Sequence, residues 1–122
     1  MVIEGVYCDE EWKYLSDANL PSATMNEVLE TEPFSEVCAA LEKKEQEWIE
    51  KIKTQLAGNL NVGKPLRYDW FREKKLDNKR LYFIINENTK KAILLAFGPK
   101  KDQQRIINHI IINKERYLKL IS

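Results

Sequence analysis

The chain has 122 residues, enough for one domain of ordinary size and too few for two. With 43% hydrophobic and 32% charged residues and only 4 Gly and 4 Pro, its composition fits a globular protein with a real core and excludes a disordered or fibrous one. The net charge of +1 conceals a polarity: residues 1–60 hold 13 Asp and Glu against 5 Lys and Arg, whereas residues 61–122 hold 6 against 15. A basic half suits a polyanionic partner and equally suits neutralisation of the acidic half across the fold.

Residues 1–23 show no sustained periodicity. Val2, Ile3, Val6 and Tyr7 have strand character, Trp12, Tyr14 and Leu15 give a short amphipathic turn, and Asp17 to Ser22 reads as a connector. This stretch is set apart as an N-terminal extension, with residues 24–122 as the single domain. Met25 to Glu30 is expected to be a short strand ending at Thr31-Glu32-Pro33, a helix-start signal. From Phe34 the apolar residues Val37, Cys38, Leu41, Trp48, Ile49, Ile52 and Leu56 recur at steps of three and four, which predicts a helix bent or split near Glu45 and stopped at Ala57-Gly58-Asn59. Three runs rich in aromatic and β-branched residues follow, at 66–76, 79–87 and 91–98, separated by the turn sequences Asp77-Asn78 and Asn86-Glu87-Asn88-Thr89. They predict an antiparallel meander. After Gly98-Pro99, the stripe Ile106, Ile107, Ile110, Ile111, Tyr117, Leu118 and Ile121 predicts a C-terminal helix. Nothing repeats internally.

The single histidine, His109, lies inside an apolar run and is read as structural or at a solvent edge, which leaves no Ser-His-Asp or Cys-His constellation. Cys8, Cys38 and His109 are too few for a structural zinc site, and no Gly-rich phosphate loop or cofactor motif is present, so no metal or cofactor is expected. No apolar stretch approaches the roughly 20 residues a bilayer needs, and no basic segment followed by an apolar one marks the N-terminus for secretion, so a cytoplasmic protein without a membrane partner is expected. What remains is a set of cations beside rings. If 66–76 is one strand, its two-residue period puts Tyr68, Trp70, Arg72 and Lys74 on one face, with Arg80 and Tyr82 sharing a face of the next strand. Such a face suits RNA, because cations hold phosphates while rings stack on unpaired bases. A solvated face of a Lys-rich protein has the same pattern.

Residues 25–106 resemble the RelE/ParE toxin superfamily. The resemblance is carried by Gly63-Lys64-Pro65-Leu66-Arg67 leading into Trp70-Phe71-Arg72-Glu73-Lys74, then by Lys79-Arg80-Leu81-Tyr82, then by an apolar strand ending in Gly98-Pro99-Lys100-Lys101. It implies an α+β fold: a small, curved antiparallel sheet with an N-terminal helical segment and a C-terminal helix. Members of the superfamily mostly cleave messenger RNA in the ribosomal decoding site, and the ParE branch poisons DNA gyrase. Carried over by position, Arg72, Lys74, Arg80 and Lys100 are the implied catalytic residues, converging on one phosphodiester, with Lys74 as general base. Lys64, Arg67, Trp70, Lys79, Lys101 and Arg105 are the implied RNA contacts. The reaction needs no metal: the ribose 2′-OH attacks the adjacent phosphate while cations stabilise the charge that builds on its oxygens. The implied partners are messenger RNA on the ribosome and a cognate antitoxin, in a dimer or heterocomplex. The chain departs from the pattern at Asp102 to Ile106, where many ribosome-dependent members carry Tyr or His, and at Lys100, where arginine is more common. A catalytically inert module that binds nucleic acid or protein, or a ParE-like gyrase inhibitor, are the alternatives. The acidic residues 1–23, with Tyr7, Trp12 and Tyr14, are expected to pack as an extra element or to cover the basic surface.

Overall fold

The computed structural model of the protein describes residues 25–122, so the elements expected within 1–23 lie outside the described residues. The element order is β1 (Glu27–Glu30), α1 (Glu32–Ala39), α2 (Lys43–Gly58), β2 (Lys64–Pro65), β3 (Phe71–Leu76), β4 (Lys79–Asn86), β5 (Lys91–Pro99), a 3-10 turn (Lys100–Asp102), α3 (Gln103–Ile112) and α4 (Lys114–Leu120). None of these helices is long and apolar enough to cross a membrane.

One sheet runs in the order β1-β5-β4-β3-β2. The expected meander is there, with β3, β4 and β5 antiparallel. The strand expected at Met25 to Glu30 is seen as β1 and joins β5 in parallel, Glu27 to Glu30 beside Lys91 to Leu94. The sheet is therefore mixed, and the fold is α+β. Between Tyr82 and Phe83 the pairing with β5 slips by one residue, which turns both Leu95 and Ala96 toward the same face and adds curvature.

Each face carries its own core. Phe34, Ile49, Ile52 and Leu56 of α1 and α2 pack on Leu81, Phe83, Ala92 and Leu94. Ile110, Tyr117 and Ile121 of the C-terminal helices pack on Phe71, Tyr82, Ile84 and Ile93. The alternation along β4, buried at every position from Arg80 to Ile85, feeds both cores at once.

Three boundaries differ from the expectation, each because side-chain or loop hydrogen bonds close an element where periodicity alone would continue it. The first long helix splits at Ala40–Glu42 rather than at Glu45; the Gln46 side chain donates to the Cys38 carbonyl at 2.8 Å and so closes the end of α1. The C-terminal helix breaks at Asn113, whose side-chain amide donates to the His109 carbonyl at 2.8 Å. The run expected as a strand at 66–76 is extended only from Phe71, because residues 66–70 form the loop of a hairpin in which Leu66 N–H donates to the Phe71 carbonyl. Lys64–Pro65 forms the other arm of that hairpin.

Candidate functional site

The two-residue turn Asp77-Asn78 fixes the register of β3 on β4. Asp77 takes a left-handed φ of 53°, a conformation that Asp tolerates better than most residues, and Leu76 then faces Lys79, Lys75 faces Arg80 and Glu73 faces Tyr82. Facing residues share a side of the sheet. Glu73, Lys75, Arg80 and Tyr82 thus lie on the side covered by the C-terminal helices, while Arg72 and Lys74 follow Phe83 and Leu81 to the other side.

Beside α3 the first of these sides opens into a cleft of about 630 Å³. It is lined by Lys64 from β2, Glu73, Lys74 and Lys75 from β3, Arg80 from β4, Lys100 from the 3-10 turn, and Gln103 and Ile107 from α3, with Gly63 and Leu66 at its edge. Gly63 is what lets β2 come this near. Its φ is +80°, and a Cβ there would stand 2.5 Å from the Glu73 carbonyl oxygen. Arg80, only 7% exposed, donates through Nη1 to the Asp77 and Lys79 carbonyls at 3.3 and 3.1 Å, which fixes its guanidinium at the cleft wall. Among the described residues, Lys64, Lys74, Lys75 and Lys100 meet no carboxylate within salt-bridge distance. On the floor, Gln103 Nε2 donates to Glu73 Oε1 at 2.8 Å. Tyr82 is fully buried below; the Gln103 amide lies near enough to its hydroxyl to act on it electrostatically, but no hydrogen bond of ordinary length forms there. Burial, reinforced by the negative charge of Glu73, pushes its pKa up to about 12.

Of the four residues expected to converge, Arg80 and Lys100 line this cleft, and Lys74 borders it along β3 while its side chain follows Leu81 to the other side of the sheet. Arg72 does not, which corrects the expected convergence. It is 8% exposed, and its guanidinium is spent on the Asp69 carbonyl and the Asn61 side-chain oxygen, both at 2.8 Å, where it closes the loop before β3. Of the expected RNA contacts, Lys64 lines the cleft and the others lie elsewhere. Lys79 pairs with Glu45 of α2 at 2.5 Å on the opposite side of the sheet. Trp70 is half-buried against both cores and stacks on Tyr68 with ring centres 4.5 Å apart, so the pair sits in the hairpin loop and not on a strand face. Arg67 and Lys101 are exposed outside the cleft, and Arg105 pairs with Asp102 at 3.3 Å. Glu73, Lys75 and Gln103 are the lining residues that sequence reasoning missed, although the two-residue turn already placed Lys75 opposite Arg80.

A second, apolar groove of about 730 Å³ runs on the same side between β1 and the C-terminal helices, over Leu29, Ile93, Leu95, Ile106, Ile110 and Tyr117. His109 lines this groove and not the cleft.

No protein-family model matches the chain, and no curated protein sequence does. Solved structures do. A doubly substituted E. coli toxin RelE in the free state matches with a TM-score of 0.58 at 12% identity, over 80% of this chain and 99% of that one. The same toxin in complex with an antitoxin RelB peptide matches with a TM-score of 0.57 at 11% identity, over 67% of this chain and 94% of the toxin. The toxin-antitoxin complex RelBE2 from Mycobacterium tuberculosis matches with a TM-score of 0.52 at 19% identity, over 62% of this chain and 98% of that one. The chain has an α+β fold of the RelE toxin type.

Proposed function

We propose that the chain is the toxin of a toxin-antitoxin pair and that it cuts messenger RNA on the ribosome, in the cytoplasm, by metal-independent attack of a ribose 2′-OH on the neighbouring phosphate. One observation carries this reading: Lys64, Lys75, Arg80 and Lys100 gather around one open cleft, and the three lysines meet no carboxylate within salt-bridge distance among the described residues. Cations held this close without counter-ions repel one another, a cost that a bound phosphodiester offsets. In the reaction they stabilise the charge that develops on the phosphorane oxygens. Arg80, braced on two carbonyls, is the preorganised member of the set, and Lys100 enters from the 3-10 turn, where its backbone N–H donates to the Asn78 carbonyl. Arg72 supports the site by closing the loop between β2 and β3.

The fold shared with E. coli RelE supports this reading, and the antitoxin peptide bound to that toxin supports a protein partner for this chain. The apolar groove beside β1 suits the apolar side of an amphipathic segment of such an antitoxin.

The test is translation of a defined message by purified ribosomes with and without the protein, followed by mapping of new 5′ ends. Cuts clustered at ribosome-occupied codons are expected. Translation at the control rate with an intact message overturns the proposal. Arrested translation with an intact message identifies a binding module instead, and inhibited supercoiling by gyrase identifies the ParE-like alternative.

A further inference from the structure

An in-line attack by a 2′-OH needs a group that takes its proton. We infer that Glu73 is this proton acceptor, an assignment that rests on the ribonuclease reading. Among the described residues it is the only carboxylate lining the cleft. Its place on the floor is central: its backbone pairs with Lys64 of β2 on one side and with Tyr82 of β4 on the other, and Lys75 and Arg80 follow on the same side of the sheet. Gln103, whose own N–H is anchored on the Lys100 carbonyl, holds Oε1. Among the described residues Oε2 receives no hydrogen bond, and the Tyr82 hydroxyl beneath has no partner, so one oxygen is left to a ligand. The one histidine lies in the other groove, and Lys74, the base implied by the resemblance, follows Leu81 to the far side of the sheet.

The electrostatics point the same way. A carboxylate inside a phosphate-binding cleft weakens the grip, and a glutamine would accept from Gln103 equally well without that penalty. Basicity is what the carboxylate adds. In the step, Glu73 takes the 2′-hydroxyl proton, O2′ bonds to phosphorus, the bond from phosphorus to the 5′-oxygen breaks, and that oxygen takes a proton from water. The products are a 2′,3′-cyclic phosphate and a free 5′-hydroxyl. The Glu73 proton then returns to solvent.

The experiment measures single-turnover cleavage and binding to programmed ribosomes for the wild-type chain, Glu73→Gln and Glu73→Ala, with thermal melts to verify folding. Glu73→Gln is expected to bind as tightly as wild type or tighter and to cut about 100-fold to 10,000-fold more slowly. Formate, a small carboxylate that fits the space left by Glu73→Ala, is expected to restore cleavage to that variant and not to Lys75→Ala. Glu73→Asp, with the same group on a shorter arm, should fall between wild type and Glu73→Gln, and it carries the test if the other variants melt early. Glu73→Gln cutting at the wild-type rate overturns the assignment, as does a loss of binding that matches the loss of cleavage without formate rescue. An uncut message with the wild-type chain is a separate outcome that removes the ribonuclease reading and this assignment together.

Discussion

On the side of the sheet under α1 and α2, Arg72 ends on the Asp69 carbonyl and the Asn61 side chain, and Lys79 ends on Glu45. On the side under the C-terminal helices, Lys75, Arg80 and Lys100 open onto a shared cleft, joined there by Lys64. The two sets are three positions apart along β3, Arg72 against Lys75, and one position apart along β4, Lys79 against Arg80. The difference teaches that a cation's role in this fold follows from strand parity and from what waits at the end of its side chain, not from its place in a basic run. Cations with protein acceptors hold the fold together, and cations without them are available to a ligand.

The sharpest way to break this division is to remove cations from each side in turn. Lys75→Ala with Lys100→Ala should lower cleavage by about 100-fold or more, because each donor aimed at developing charge carries roughly that much. Both side chains are exposed, so the melting curve should barely move. Normal cleavage by the double variant, measured on programmed ribosomes, would dissolve the distinction.

A next effect, of about 3 kcal/mol, belongs to the residue under the cleft floor. Tyr82 has its pKa raised from 10.0 to about 12, so at alkaline pH the unfolded phenol ionises before the folded one does. The native state then holds the extra proton, and the stability that Tyr82 contributes is fully present below pH 10 and is lost as pH rises toward about 12. Tyr82→Phe removes this limb. At neutral pH it should cost nothing, because the hydroxyl it deletes has no partner. Urea melts of both proteins at pH 8 and pH 11 measure the difference, and parallel losses in the two proteins would show that the buried phenol is not its source.

Arg72→Ala should give the reverse of the cleft variants. Two charge-assisted hydrogen bonds disappear and the loop at 61–69 loses its clasp, for about 2 kcal/mol of stability, while each molecule that remains folded cuts at nearly the wild-type rate. A loss of cleavage as large as that of the cleft pair, at a temperature where the variant is folded, would return Arg72 to the catalytic set.

What the sequence made legible was local. The helix start at Thr31, whose side chain does accept from the Phe34 N–H, the two-residue turn at Asp77-Asn78 and the strand periods of β4 and β5 all act over a few residues. The strand period joined Arg72 with Lys74 and Arg80 with Tyr82, as the sheet does, but disclosed neither that the two pairs face opposite sides nor that β3 starts only after Tyr68. That residue lies in a loop held by Arg72 reaching back to Asn61, eleven positions away. The parallel seat of β1 beside β5 and the closure of α1 by Gln46 are likewise products of contacts between distant residues, on which periodicity is silent. Half of the site followed from this. Lys64, Arg80 and Lys100 stand out as basic residues of the motifs, whereas Glu73 is a lone carboxylate within a basic run and carries no such signal.

The smallest effect concerns Lys79, which sequence alone assigns to RNA. Its ammonium lies 2.5 Å from Glu45 in the first turn of α2 and 5.6 Å from the centre of the Phe97 ring. Glu45 is the more buried partner, and its charge also favours the N-terminal end of its helix. The pair ties α2 to the start of β4 and stands partly in water, so a double-mutant cycle with Glu45→Gln and Lys79→Met should give a coupling of about 1 kcal/mol or less. Salt should weaken that coupling. RNA affinity provides the contrast: Lys64→Ala should reduce it and flatten its salt dependence by about one ion, while Lys79→Met should leave both unchanged. Equal losses of affinity from the two variants would mean that bound RNA wraps past the edge of the sheet and that Lys79 leaves Glu45 to meet it.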